Sequence, residues 1–231
     1  MIPWSLLDTA HVPGGELRLM RRGAEFSIML GGNQLMNSRV RGSEEALATI
    51  ACERIRSRAT PRILIGGLGM GFTLRAALAA LGADARIVVA ELVPAVLAWA
   101  RGPMAELFGN SLADPRVSAR EADVADLIRS GSAAFDAILL DVDNGPEGLT
   151  RKANDALYDL DGLRAACAAL RPGGVLAVWS AKPDLKFSRR LRQAGFEVDE
   201  ERVRADGSRG GARHVIWIAA RADGRRQAAS V

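Results

Sequence analysis

Gly67, Gly69 and Gly71 alternate in Ile63-Leu64-Ile65-Gly66-Gly67-Leu68-Gly69-Met70-Gly71-Phe72-Thr73, a short apolar run that breaks into a glycine turn and then a helical stretch. Glycine there allows positive φ and removes the Cβ atoms that would hold the backbone off a ligand lying across the strand end. The spacing excludes the dinucleotide fingerprint GxGxxG, because the position after Gly67-x-Gly69-x-x is Phe72, too large for close helix–strand packing. The next apolar run ends in Glu91, whose carboxylate can accept from both hydroxyls of a ribose. The run after that leads into Arg120-Glu121-Ala122-Asp123, and Asp123 suits an adenine amino group; a fourth run ends in Asp141. Parallel sheets bind ligands at the carboxyl ends of their strands, which is where these residues gather. A glycine turn without ligand, and a plain polar turn at Asp141-Val142-Asp143-Asn144-Gly145-Pro146, remain open as alternatives.

Short apolar runs alternating with longer helical ones from Arg62 onward predict a parallel sheet covered on both faces. Strands are expected at 62–65, 86–90, 116–119, 137–140 and 175–179, with helices near 72–81, 94–107, 124–129 and 160–170. Arg171-Pro172-Gly173-Gly174 reads as the turn that stops the last helix. A further helix over 184–194 leads into strands at 197–204 and 214–219, whose close succession predicts an antiparallel hairpin at the sheet edge. Ahead of this, runs at 16–22, 25–30 and 33–39 separated by glycines predict a small antiparallel β unit. Ser43 reads as the N-cap of a helix ending near Ala59, with Glu44 and Glu45 in its first turn. The expected fold class is therefore α/β, and the expected division is a β unit at 1–42, a main domain at 43–221 and a disordered basic tail at 222–231.

The chain has 231 residues, 48% of them hydrophobic and 25% charged, which excludes disorder and fits one domain with a small appendage. It has no apolar run long enough to span a bilayer, and its start lacks the pattern of a signal peptide, so a soluble cytoplasmic protein is expected. Cys52 and Cys167 form no metal or disulfide framework, and His11 and His214 are too isolated for a metal site or a triad, so no metal is expected. The pI of about 9.7 points to an anionic partner. Seven arginines against Asp206 and Asp223 after Glu201 carry that excess, and the body, with 24 basic and 25 acidic residues, is neutral. Nucleic acid is accordingly not the expected partner.

The GxGxG spacing resembles motif I of the class I S-adenosylmethionine-dependent transferases. With Asp114-Pro115-Arg116-Val117, the stretch from Phe135 to Pro146, Leu157-Tyr158 and the stretch from Leu170 to Leu176, the chain resembles the aminopropyltransferase family typified by spermidine synthase, over about residues 15 to 200. The resemblance implies a Rossmann-like methyltransferase fold with a mostly parallel seven-stranded sheet after the β unit, and a homodimer. It also implies adenosyl contacts at Gly67, Gly69 and Gly71, ribose contact at Glu91, adenine contact at Asp123, and Asp141 beside the transfer centre. Tyr158, the single tyrosine, either closes the pocket or fills the core.

Three departures bear on the chemistry. Met70 stands where the family's glycine turn carries an aspartate for the donor's amino group. Asn144 replaces the second acid of the family's Asp-Ser-Ser-Asp, although Asp143 adds a carboxylate one position earlier. Ser43 matches a tyrosine of the polyamine pocket, while Glu45 matches its glutamate. Because Met70 leaves an ammonium unpaired, the expected reaction is methyl transfer from S-adenosylmethionine to a small-molecule acceptor oriented by Asp141 or Asp143. Aminopropyl transfer from decarboxylated S-adenosylmethionine is the alternative, and a non-catalytic nucleoside-binding protein the remote one. Asn33, Asn37 and Arg41 are candidates for a lid.

Overall fold

The computed structural model describes residues 2–142, 156–207 and 210–223. The chain opens with a four-stranded antiparallel sheet, β1 (Ser5–Val12), β2 (Gly15–Arg22), β3 (Glu25–Leu30) and β4 (Asn33–Asn37), in sequential order. The sequence points to the last three strands but not to β1, which is exposed along most of its length, with only Ala10 and Val12 packed against the core, and so carries little alternation to read. Gly23 (φ +61°) and Gly31 (φ +55°) supply the left-handed turns between β2, β3 and β4. Leu17, Leu19, Phe26 and Ile28 alternate inward from β2 and β3 and join a core that also contains Ile63, Ile65 and Val89.

Helix α1 (Gly42–Arg54) follows, earlier in both start and end than expected. Ser43 is not its N-cap: Arg41 holds that position without a side-chain cap, and the Ser43 hydroxyl pairs with His214 Nδ1 at 2.9 Å. A Cβ on Gly42 would lie 2.2 Å from the Gly207 nitrogen, so this close approach to the turn after the tenth strand sets where the helix begins.

The main sheet is built from β5 (Arg62–Gly66), β6 (Arg86–Glu91), β7 (Val117–Glu121), β8 (Phe135–Leu140), β9 (Leu170–Ser180), β10 (Phe196–Arg204) and β11 (Arg213–Arg221), in the order β10-β11-β9-β8-β5-β6-β7. β5 to β9 pair in parallel; β11 runs antiparallel to both β9 and β10, the edge hairpin expected. This is the expected mostly parallel seven-stranded, Rossmann-like arrangement. Alternate residues of β5 and β8 face opposite layers. Ile63, Ile65, Ala137 and Leu139 pack with α1, α2 (Phe72–Ala80) and α3 (Pro94–Arg101). Leu64, Ile138 and Leu140 pack with α5 (Val124–Ser130), α6 (Leu160–Ala169) and α7 (Leu185–Gln193).

Two expectations are corrected. The helix read over 94–107 is two, α3 and α4 (Ala105–Phe108), broken at Gly102-Pro103, where proline disfavours helical geometry in the residue before it. Arg171-Pro172-Gly173-Gly174 is no terminal turn but an irregularity inside β9: the pairing jumps from Phe135 with Leu170 to Ala137 with Val175, and Gly173 takes φ +72°. Asp143 and the rest of 143–155, together with the basic tail from 224 on, lie outside the described residues. Among the described residues no helix is long and apolar enough to cross a membrane.

Candidate functional site

The carboxyl ends of β5 to β8 meet the inner face of the N-terminal sheet, and a cavity lies between them. On the α/β side it is walled by Gly67, Gly69, Glu91, Asp123 and Asp141. Five of the residues named from the sequence are thus brought together. Gly71 and Tyr158 are not in the wall, and Asp143 lies outside the described residues.

The three glycines do different work. Gly67 (φ +86°) donates its N–H to the Ala90 carbonyl at 2.9 Å, and a Cβ there would lie 2.4 Å from the Asp141 carbonyl oxygen. Gly71 (φ +77°) caps α2, and a Cβ would meet the Phe108 ring at 2.4 Å, so its smallness serves packing. Gly69 (φ +50°) would meet only the Met36 sulfur, at 3.4 Å; its missing side chain leaves room in the cavity itself.

Glu91 is 8% exposed and braces this turn: Oε2 accepts from Leu68 N–H at 2.9 Å and Oε1 from Val93 N–H at 2.8 Å. Burial raises its pKa against the lowering effect of these backbone donors. Asp123, two residues past the end of β7, is the N-cap of α5, one oxygen accepting from Ala125 N–H at 2.8 Å.

Asp141 follows β8, its N–H donating to the Gly66 carbonyl at 3.0 Å. Thr73, in the first turn of α2, donates its hydroxyl to Asp141 Oδ2 at 2.7 Å. Burial pushes Asp141 up to about 6, with the Thr73 hydrogen bond pulling the other way. Glu44, on α1, is pushed up to about 9 by burial first and by the charges of Asp141 and Glu45 second. Glu44 carried no site role on sequence grounds. Its partner in the sequence, Glu45, turns instead to Arg41, 3.3 Å away.

The opposite wall comes from Val12, Leu17, Ile28, Leu30, Leu35 and Met36 of the N-terminal sheet. The lid residues expected from position are engaged elsewhere in two cases: Asn37 Oδ1 accepts from the N–H groups of Arg39 and Val40, and Arg41 pairs with Glu45. Apolar alternation along β2 and β3 was the signal for the true wall. Tyr158, 2% exposed, packs edge-on against Phe187 with ring centroids 5.7 Å apart, in the core on the other face of the sheet. Met70 is 3% exposed and lies in the core, not in the cavity wall.

The fold is similar to that of a spermidine synthase from Thermotoga maritima, at TM-score 0.75 and 18% identity, aligned over 96% of this chain and 75% of that one. The fold is that of spermidine synthase. A spermidine synthase in complex with the transition-state analogue AdoDATO aligns at TM-score 0.72 and 18% identity, over 96% of this chain and 74% of that one. In sequence, the polyamine aminopropyltransferases of Mycobacterium tuberculosis and Mycobacterium bovis are 28% identical over 199 residues, 81% of this chain. The chain spans 36% of the length of these curated relatives. No family model matches. The spermidine synthase-like character expected from the motifs therefore stands, and the preference for methyl transfer does not: these relatives bear aminopropyltransferase names. That preference rested on Met70, whose burial in the core removes it from any contact with a donor in the cavity.

Proposed function

We propose that the chain is an aminopropyltransferase that takes decarboxylated S-adenosylmethionine as donor and a small aliphatic amine as acceptor. The observation that carries this reading is the cavity itself, which gathers Gly67, Gly69, Glu91, Asp123 and Asp141 at four successive strand ends against an aliphatic wall. Gly69 lets the adenosyl group approach the backbone, Glu91 accepts from the ribose hydroxyls and Asp123 from the adenine amino group. Asp141 orients the acceptor amine. As nitrogen bonds to the carbon beside the sulfonium, the carbon–sulfur pair goes to sulfur and the proton on nitrogen passes to Asp141. A carboxylate titrating at about 6 is ionised at neutral pH and still basic enough to take that proton. The sulfonium is already a good leaving group, so alignment and desolvation between the two sheets supply the rest.

Mass spectrometry of putrescine and longer diamines incubated with the decarboxylated donor tests the reading. The expected product carries one added aminopropyl group, and Asp141→Asn loses turnover by about two orders of magnitude or more. No mass gain across a polyamine panel overturns the proposal.

A further inference from the structure

We propose that β1 is a strap across the nucleoside side of the cavity and that Asp8 fastens it, through a hydrogen bond to Trp99, as a positioning residue for the donor. The proposal rests on the transferase reading of the same cavity. Asp8 Oδ2 accepts from the indole Nε1–H of Trp99 at 2.7 Å, and Oδ1 accepts from the N–H of Thr9 at 2.8 Å. Trp99 is 1% exposed, so its one N–H is closed off from bulk water and depends on this carboxylate. The two donors, the indole first, hold the Asp8 carboxyl below its ordinary value, so it stays an anionic acceptor at neutral pH. The strand is shaped for the contact. Its register with β2 shifts between Leu6, opposite Met20, and Asp8, opposite Leu19, and such a bulge re-aims the side chains that follow it. Asp8 thereby shares a face with Ala10 and Val12, the two residues of β1 that pack inward.

Both partners lead to the cavity. Along β1, Val12 follows Asp8 on the same face, and Val12 and Pro13 line the cavity. Trp99 lies on α3, whose Val96, about one turn earlier, lines it too. The start of α3 is tied to Glu91, the residue that the transferase reading places at the ribose: its Oε1 accepts from the N–H of Val93, the N-cap of the helix, at 2.8 Å. One helix is thus held at its beginning by the ribose carboxylate and further along by β1. Little else secures the strand. It is an edge strand paired only with β2 and exposed along most of its length. Among the described residues, Asp8–Trp99 is the one side-chain hydrogen bond or ion pair from β1 to an element outside the N-terminal sheet. An edge strand with so few buried contacts opens at low cost, so the clasp governs how much of the time the cavity wall is complete. The donor binds fully only to the fastened form, and its apparent affinity falls with the fraction of time the strap is open.

Calorimetry with 5′-methylthioadenosine and hydrogen exchange of the β1 amides, both on the full chain, test the strap. Asp8→Ala is expected to speed exchange across β1 while β5 and β8 keep their protection, which also reports that the variant is folded. The same variant is expected to weaken 5′-methylthioadenosine about fivefold or more. Trp99→Phe, which removes the donor and keeps a ring, is expected to weaken it by a similar factor, and the double variant by no more than either change alone. Asp8→Asn, whose side-chain oxygen still accepts, is expected to recover part of the loss. Nucleoside affinity in Asp8→Ala that stays within about twofold of wild type overturns the proposal, as do losses that multiply in the double variant or β1 exchange that keeps its wild-type rate. A wild type that binds no nucleoside overturns it as well. Nucleoside binding that depends on Asp8, without any aminopropyl product, counts against the transferase reading and leaves the strap intact.

Discussion

A carboxyl group held protonated by its surroundings makes stability depend on pH, and Glu44 offers a clean case. Its ordinary value near 4.5 rises to about 9 in the folded protein, chiefly through burial. Between those values the folded state holds a proton that the unfolded chain releases. Stability from this group is therefore complete below pH 4.5 and falls as pH rises towards 9, by about 1.4 kcal/mol per unit. The groups that face it are Asp141, which titrates near 6, and Glu45, which is paired with Arg41. His214, one contact away through Ser43, has its pKa lowered by burial and so titrates below its ordinary 6.5. The window from pH 7 to pH 8.5 lies above both and below the cysteines, which burial raises from 9. Across it wild type should lose about 2 kcal/mol, or about 4–8 °C in Tm for a domain of this size. Glu44→Gln, neutral throughout, should lose almost none of this. Urea unfolding of both proteins at several pH values in this window measures the difference. A wild type with flat stability there, or a glutamine variant just as steep, would refute the burial of the Glu44 carboxyl.

The glycine turn predicts opposite outcomes for neighbouring substitutions. Gly67→Ala forces a Cβ to 2.4 Å from a backbone carbonyl at φ +86°, so it should cost more than about 2 kcal/mol by thermal unfolding and abolish 5′-methylthioadenosine binding. Gly69→Ala meets only the flexible Met36 sulfur at 3.4 Å, so it should cost about 1 kcal/mol in stability but weaken nucleoside binding in calorimetry; equal stability losses at the two positions would contradict the geometry. Thr73→Val removes the hydrogen bond that lowers the Asp141 pKa, so the acid limb of the pH–rate profile should move up by about one unit. An unmoved limb would mean that Asp141 is not the group titrating in turnover.

What could be read in the sequence, and what could not, follows from how far each feature depends on its own neighbours. Strands β5, β6 and β8 are largely buried, and so appear as apolar runs whose ends are marked by Gly67, Glu91 and Asp141, while the partly exposed edge strand β7 is marked mainly by Asp123 beyond its end. Strand β1 is exposed over most of its length, with only Ala10 and Val12 packed inward, and leaves no such trace. The interruption in β9 misleads because Pro-Gly-Gly is the chemistry of a turn, and only the pairing with β8 shows that the strand continues through it. The choice between Glu44 and Glu45 is a question of helix phase. One residue rotates a helix by about 100 degrees, and the phase of α1 is fixed by Gly207 and His214, more than 160 residues downstream.

Met70 and Glu44 together show why the reaction was harder to read than the fold. A charge counted by position in a motif is assigned to the site whichever way the side chain turns, and Met70 in its core position neither offers nor withholds anything at the cavity. Conversely, α1 buries most of the Glu44 side chain, whose pKa the Asp141 charge helps to raise, at a position that no motif marks. The result is a cavity with its acids, Glu91, Asp123 and Asp141, on the strand-end side and aliphatic side chains on the N-terminal sheet. On the proposed aminopropyltransferase reading, that polarity suits a ligand with a cationic end and a methylene body better than a polar or anionic acceptor, which would find no donor in the aliphatic wall to replace its water. The N-terminal sheet is then part of the selection, and substitutions at Leu35 and Met36 should change which diamine chain length is preferred, read as a change in kcat/KM between diamines. Shortening both to Ala should shift preference towards longer chains, and an unchanged order of preference would place the methylene body elsewhere.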